Sequence, residues 1–414
     1  MSHAGILKAF SSISATPSGR SRRTAKDFGS HHWTRPRRCC DVSREPVPEL
    51  VSPRRQRGEL MTAYRVALLF LFWIAGVCSA DAQMLTFPGI CDASAAIAVD
   101  DRTIIVGDDE KPWLSVYDLR TLQLNTKLPL PFGGATAANS DPDDAPEADI
   151  EGATIFSGRI VWISSHGRNS KGKVKPDRFQ LFASHTIDPR VGTATAGFSR
   201  SFRDLLPMVI GSTDAAYDPL HDAIGDLAKR NEALAPKRDG FNIEGLTVTK
   251  DGNALLIGMR NPLVDGRAIL FELDGFDAFL NGDPSRLSVG KLMLVDLHDR
   301  GIRDIVWSPA HQSYLVAAGQ ADDNDQGPGF ALFKWDGSAA PARISAFGDF
   351  NRDYDRFHLE AIVPLLQRSG DGLVPSNDVL VLSDDGARPM PDGKPCKTEP
   401  ESLAHFRGLI RHVD

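Results

Sequence analysis

The chain has 414 residues, 42% of them hydrophobic and 24% charged, with five cysteines and a formal net charge of −7. That acid excess excludes nucleic acid and anionic lipid as natural partners, because counterion release there needs a basic face.

Residues 1–60 hold twelve Lys/Arg against five Asp/Glu and show no sustained apolar periodicity, so they read as a non-native or disordered extension. At Met61 a secretory signal begins. Arg65 is its charged start, Val66–Cys78 its apolar run and Ala80-Asp81-Ala82 its small-residue site, with cleavage before Gln83. The run is too short to span a bilayer. The expected product, residues 83–414, is exported to the periplasm or secreted, with no stable membrane insertion after cleavage. Residues 61–82 carry one basic and one acidic side chain, so the product holds 34 basic and 48 acidic residues, a charge of −14. Of the cysteines only Cys91 and Cys396 remain, and an oxidising route predicts a disulfide between them.

Three apolar runs open on one signature: Asp149-Ile150-Glu151-Gly152, Asn242-Ile243-Glu244-Gly245 and His358-Leu359-Glu360-Ala361. Aligned on it, five hairpins follow in order: Ala95–Val99 with Thr103–Gly107, Gly152–Phe156 with Ile160–Ser164, Gly245–Thr249 with Ala254–Gly258, Asp304–Trp307 with Ser313–Ala317, and Leu359–Leu365 with Asp378–Leu382. The last spans a long loop containing Gly370, Gly372 and Pro375. Short runs rich in Ile, Val, Leu and Thr, punctuated by Gly, Asp and Asn, suit strands. Third strands follow each hairpin, and fourth strands show at Leu122–Leu130 and Lys291–Leu297. The pattern predicts an all-β fold, a β-propeller of five or six four-stranded blades. Met84–Pro88 is expected to supply the missing strand of the last blade and close the ring. Asp204–Gly240 breaks the rhythm with helical spacing at Ala223–Leu234, and reads as an insertion or a degraded sixth blade.

From each signature residue to the polar end of its partner strand is 16 or 17 residues in four units and 24 in the fifth. Antiparallel pairing puts those two points at one sheet edge, so they should gather at one mouth of the channel. Asp92 and Asp304 take the signature's place in the first and fourth units. The expected ligand-binding rim is Glu151, His166, Arg168, Asn169, Glu244, Arg260, Asn261, Asp304 and Glu360. Asp108, Asp109, Asp384 and Asp385 are the expected hard-cation carboxylates, with calcium the natural ion. Each glutamate also has a structural reading, as an acceptor for backbone N–H groups or a partner for an adjacent arginine. The runs Asp141–Asp149 and Asp322–Asp325 are further acidic stretches, but Phe333 stands where an EF-hand loop needs its bidentate glutamate. No Gly-x-Ser-x-Gly, His-Glu-x-x-His, Cys-x-x-Cys or phosphate-cradling glycine loop is present.

The signatures at 149–152 and 242–246, with Ser164-Ser165-His166-Gly167-Arg168-Asn169 and Gly258-Met259-Arg260-Asn261-Pro262, resemble the bacterial family called domain of unknown function 3616. The resemblance extends over nearly all of residues 90–413. The Ile-Glu-Gly starts more loosely resemble exported phytase-like esterase propellers, which implies a metal-dependent phosphoric ester hydrolase by analogy alone. Three functions stay open: an exported propeller binding a small or phosphorylated ligand through calcium, that hydrolase, or a protein-interaction scaffold.

Overall fold

The computed structural model describes residues 84–132, 147–184, 197–236, 239–322 and 327–414. The extension, the signal segment, Asp143, Asp144 and Asp323–Asp325 lie outside them. Among the described residues, 19 strands form five antiparallel sheets. Blade 1 is β2 (Ala93–Ala98), β3 (Thr103–Asp108), β4 (Trp113–Asp118) and β5 (Gln123–Pro129). Blade 2 is β6 (Ile150–Phe156), β7 (Arg159–Ser164) and β8 (Leu181–Ser184). Blade 3 is β9 (Asn242–Val248), β10 (Leu255–Val264), β11 (Arg267–Asp274) and β12 (Ser288–Val295). Blade 4 is β13 (Gly301–Ser308), β14 (Ser313–Gly319), β15 (Ala331–Trp335) and β16 (Ala342–Arg343). Blade 5 is β17 (His358–Ser369), β18 (Gly372–Asp384), β19 (His405–His412) and β1 (Leu85–Pro88).

The inner strands β2, β6, β9, β13 and β17 touch one another in that order, and β17 meets β2. The arrangement is a five-bladed β-propeller. Glycine makes the inner contacts close. A Cβ on Gly107 would lie 2.7 Å from Ile150, one on Gly152 2.8 Å from Leu246, and one on Gly245 2.9 Å from Ile302. Each belongs to the next blade, so the glycine of the Glu-Gly signature is an inter-blade packing requirement.

Three expectations need correction. Among the described residues blade 2 shows three strands, and Phe198 and Phe202 make isolated bridges to Ser184 and Leu181. The fifth hairpin has no long loop. β17 and β18 stay paired to Ser369↔Gly372 around Gly370-Asp371, passing Pro375 beside an irregularity at Pro364/Leu366. Gly370 supplies the positive φ of that tight turn, at 60°. In the insertion, the helices are α1 (Leu205–Ile210) and α2 (Asp218–Ile224), not Ala223–Leu234. Pro219 starts α2, and Gly225 ends it at φ 59°, where a Cβ would meet Leu234 at 2.6 Å. Among its described residues the insertion contains no strand, and so no sixth blade.

The N-terminal β1 pairs antiparallel with β19. Phe87 stacks on Phe406 at 4.9 Å, and Tyr117 of blade 1 meets both rings edge-on while its hydroxyl donates to Pro88 O at 2.8 Å. Nearby, Cys91 and Cys396 form the expected disulfide, joining residues 305 apart in sequence. Replacing both by serine is expected to lower stability by roughly 2–5 kcal/mol, because the unfolded chain regains a very long loop. The measurement is the thermal midpoint with and without reductant. An unchanged midpoint would mean that strand pairing alone holds these ends together.

Candidate metal and ligand site at one mouth

Each inner strand carries one residue too many for its partner. The register steps two residues against one across Ser94, Glu151, Glu244, Arg303 and Glu360. Such a bulge kinks the strand and re-aims the side chain. All five lie near the same end of the inner hairpin, so the signature glutamate is the bulged residue of its blade. The equivalent positions in blades 1 and 4 are Ser94 and Arg303. The sequence alignment had placed Asp92 and Asp304 there, two and one residues away.

That one-residue difference decides the chemistry of blade 4. Arg303 Nε donates to Glu360 Oε2 at 2.7 Å, and Nη2 bonds Glu360 Oε1. Its Nε also lies 2.9 Å from Glu244 Oε2. A single N–H cannot point both ways, so Glu244 Oε2 has charge contact without a hydrogen bond. Oε1 of Glu244 accepts from Asn242 Nδ2 at 2.8 Å and from Arg260 Nη1 at 3.1 Å. Blades 3, 4 and 5 are thereby joined by a buried Arg260–Glu244–Arg303–Glu360 chain. Beside it opens a cleft of about 510 Å³ lined by Arg260, Arg303, Arg356, His358, Asp384 and the rings of Phe330, Phe350 and Phe357.

Asp304 points elsewhere. Its oxygens accept from the backbone N–H of Ile305 and of Ile362 in the next blade, both at 2.7 Å. Burial raises its pKa to about 8, against those two hydrogen bonds.

Blades 1 and 2 present the opposite electrostatics. Asp92 precedes β2, Asp108 ends β3 and Asp109 follows it, Asp149 precedes β6 and Glu151 is bulged from it. Carboxylate oxygens of Asp92, Asp108 and Asp109 lie within 4.8 Å of one another, as do those of Asp109, Asp149 and Glu151. Asp108 uses Oδ1 to accept from the Glu110 and Lys111 N–H groups at 2.8 and 2.9 Å, which orients Oδ2. Asp108 Oδ2, Asp92 Oδ2 and Asp109 Oδ1 are buried without a hydrogen-bond partner among the described residues. A Cβ on Gly386 would fall 1.6 Å from Asp92 Oδ1, so only glycine leaves that carboxylate its place. Asp149 accepts from the Ser165 hydroxyl and lies 3.0 Å from Arg178 Nη1, while Arg178 also pairs with Glu147.

Burial, reinforced by Asp384 and Asp108, raises Asp92 to about 9, and burial raises Asp108 to about 7. Asp109 is held well above the carboxylate range by burial and then by Asp92 and Asp108, and Glu151 by burial and then by Glu244 and Asp149. Burial also raises Asp149, with Arg178 opposing.

Other expected rim residues are committed to local structure. Arg168 donates to the carbonyls of Gly172, Ile224, Asp226 and Lys229, which fastens the end of α2 to the blade 2 loop. His166 is buried against Phe179 with Nδ1 2.8 Å from Ser164 O, and burial lowers its pKa to about 4. Asn169 Oδ1 accepts from the Lys171 and Lys173 N–H groups, and Asn261 Nδ2 donates to Gly240 O at 2.7 Å. Both oxygens of Asp385 accept from Arg407, at 2.6 and 2.7 Å. Asp384 stands next to Asp92 through a backbone bridge and accepts from Gly386 N–H at 2.8 Å. Of the four expected cation carboxylates, Asp108 and Asp109 enter the acidic arc, Asp384 borders it and Asp385 is neutralised. Asp92, Asp149, Glu151 and the positioning arginines Arg303 and Arg178 complete the picture.

Replacing Arg303 by methionine would leave Glu360 buried without its cation, and should cost about 3–5 kcal/mol, read by denaturant unfolding. A loss below about 1 kcal/mol would show that water replaces the guanidinium. In chelator, stability should fall as pH rises from about 4 toward 7–9, because the raised groups hold protons in the folded state that the unfolded chain has released. Equal stability at pH 5 and pH 8 would contradict that titration.

No curated protein matches the chain. Among solved structures, it is similar to hydrazine synthase of Kuenenia stuttgartiensis (10% identity, 72% of this chain and 79% of that one, TM-score 0.31). It is also similar to glutaminyl cyclase of Myxococcus xanthus (11%, 80% and 97%, TM-score 0.36) and to the PQQ-bound aldose sugar dehydrogenase of Streptomyces coelicolor (13%, 80% and 99%, TM-score 0.34). These likenesses carry no argument about chemistry. Residues 221–361, a narrower span than 90–413, match the family described as "Protein of unknown function (DUF3616)", the one that the Asn242–Leu246 and Gly258–Pro262 motifs resemble.

Proposed function

We propose that residues 83–414 form an exported propeller whose channel mouth binds a hard divalent cation, calcium being the best fit, and through it a small anionic ligand. The observation that carries this reading is the trio of buried carboxylate oxygens without partners on Asp92, Asp108 and Asp109. Leaving a buried acceptor unsatisfied costs about 1–3 kcal/mol, and more for a charged one. A cation of the calcium class, with six to eight oxygen ligands, would offset that cost. The donors are all oxygens, with no thiolate or imidazole among them, which favours Ca²⁺, Mg²⁺ or Mn²⁺ over zinc or copper.

The neighbouring cleft supplies the ligand's side of the proposal. Its arginines stand beside the carboxylate-lined arc, and its phenylalanines offer an apolar wall. An anion there would be drawn by both the metal and the guanidinium groups. Export is supported by the signal-like segment at 61–82 and by the disulfide. Among the described residues no helix is long and apolar enough to cross a membrane. The pairing of β1 with β19 supports closure of the ring by the N-terminal strand.

Calcium added to chelator-stripped protein at pH 8 should raise the melting temperature by several degrees. Saturation at a hundred times Kd contributes about 2.7 kcal/mol. Asp109→Asn should cut the rise at the same calcium concentration by about half or more while leaving a cooperative transition. If calcium, magnesium and manganese all leave the wild-type melting curve unmoved, the cation reading is wrong.

A further inference from the structure

We propose that the mouth takes a pair of divalent cations, with Asp109 as the carboxylate they share. This rests on the cation-binding reading above and adds its nuclearity. Among the described residues the acidic oxygens divide into two triads, Asp92/Asp108/Asp109 and Asp109/Asp149/Glu151, not into one set of five. Oxygens bound to one calcium at about 2.3–2.6 Å can stand no more than about 5 Å apart, so each triad is of a size to grip one ion. Asp109 belongs to both, and a carboxylate has two oxygens, one for each ion.

Independent observations point into each half. In the first, Asp108 is fully buried with Oδ1 occupied by backbone N–H groups and Oδ2 unpartnered, and Asp92 Oδ2 and Asp109 Oδ1 are likewise buried without a partner among the described residues. In the second, Glu151 is thrust out of its strand by the bulge and receives no side-chain hydrogen bond from the described residues. Arg303, the nearest bulged cation, is committed to Glu360 and Glu244.

Charge balance favours two ions over one. Arg178 divides itself between Asp149 and Glu147, and Lys397 is paired with Glu110 at 2.8 Å. Each of these cations therefore answers a carboxylate outside the arc, leaving five within it. One dication offsets two of those five charges and leaves the remaining carboxylates to keep their protons, whereas two offset four and allow nearly the whole arc to ionise. A pair of cations sharing a carboxylate also presents both open faces to one ligand, which suits an oxyanion able to bridge them.

The test is titration of the chelator-stripped, full-length protein with Ca²⁺ and with Mn²⁺ by calorimetry, with electron paramagnetic resonance on the manganese form. Wild type should bind two ions per chain, and the manganese spectrum at saturation should show exchange coupling. Asp92→Asn and Glu151→Gln should each retain one ion, and Asp109→Asn should weaken both at least tenfold. One ion per chain in wild type, or the hyperfine pattern of isolated manganese at saturation, overturns the pair and leaves a single-cation mouth. No binding at all overturns both readings. The wild-type stoichiometry and spectrum decide the matter even if a variant fails to fold.

Discussion

An inserted residue in each of five inner strands, all near the same end of the hairpin, is the constraint on which the mouth depends. A regular strand alternates its side chains between faces, and each face of an inner strand is packed against a neighbouring blade. A charged side chain placed there would be buried without relief. The bulge breaks that alternation for a single residue and turns it out of the packed face. Immediately beside it, Gly152, Gly245 and Ala361 keep the blades close, while Asp304 gives its carboxylate to the backbone of the next blade. The bulge and its small neighbour thus work as one unit, separating a residue free to do chemistry from one obliged to pack.

The ring is nearly symmetric in backbone but not in charge. Ser94, Glu151, Glu244, Arg303 and Glu360 occupy equivalent places. Arg303 lies between two glutamates and uses up the negative charge of one half of the mouth. Among the described residues no bulged arginine stands between blades 1 and 2, where Asp108, Asp109 and Asp149 add carboxylates from strand ends and Arg178 is shared between Asp149 and Glu147. The result is a buried Arg–Glu chain on one side and an uncompensated acidic arc on the other, with Asp384 at their border. A salt-bridged chain gives rigidity and orientation, and an orphaned carboxylate group gives affinity for cations. Having both at one opening is what supports the proposed binding of a metal and an anion together.

Much of this was legible in the sequence, for physical reasons. Repeated Ile-Glu-Gly starts announced the blades because tight inter-blade packing admits only the smallest residues there. Cys91 and Cys396 announced their bridge because they are the sole cysteines after residue 78. Other features were not legible. Arg303 was hidden because blade 4 lacks the small residue that marks the register elsewhere, so Asp304 took its place in the alignment. Arg168 and His166 sit in a motif as regular as any other, yet Arg168 anchors the insertion through its backbone carbonyls and His166 is buried against Phe179. No local pattern records such a tertiary demand. The long β17–β18 hairpin was obscured by Pro375 and glycines, which usually punctuate loops but here ride on an irregular, solvent-exposed extension.

The most direct test of the account is anomalous diffraction from crystals of the protein grown with manganese. Two peaks flanking the Asp109 carboxylate, one toward Asp92 and Asp108 and one toward Asp149 and Glu151, are the predicted result. A map with no metal peak at the mouth, or with the acidic side chains turned to protein partners instead, would contradict it.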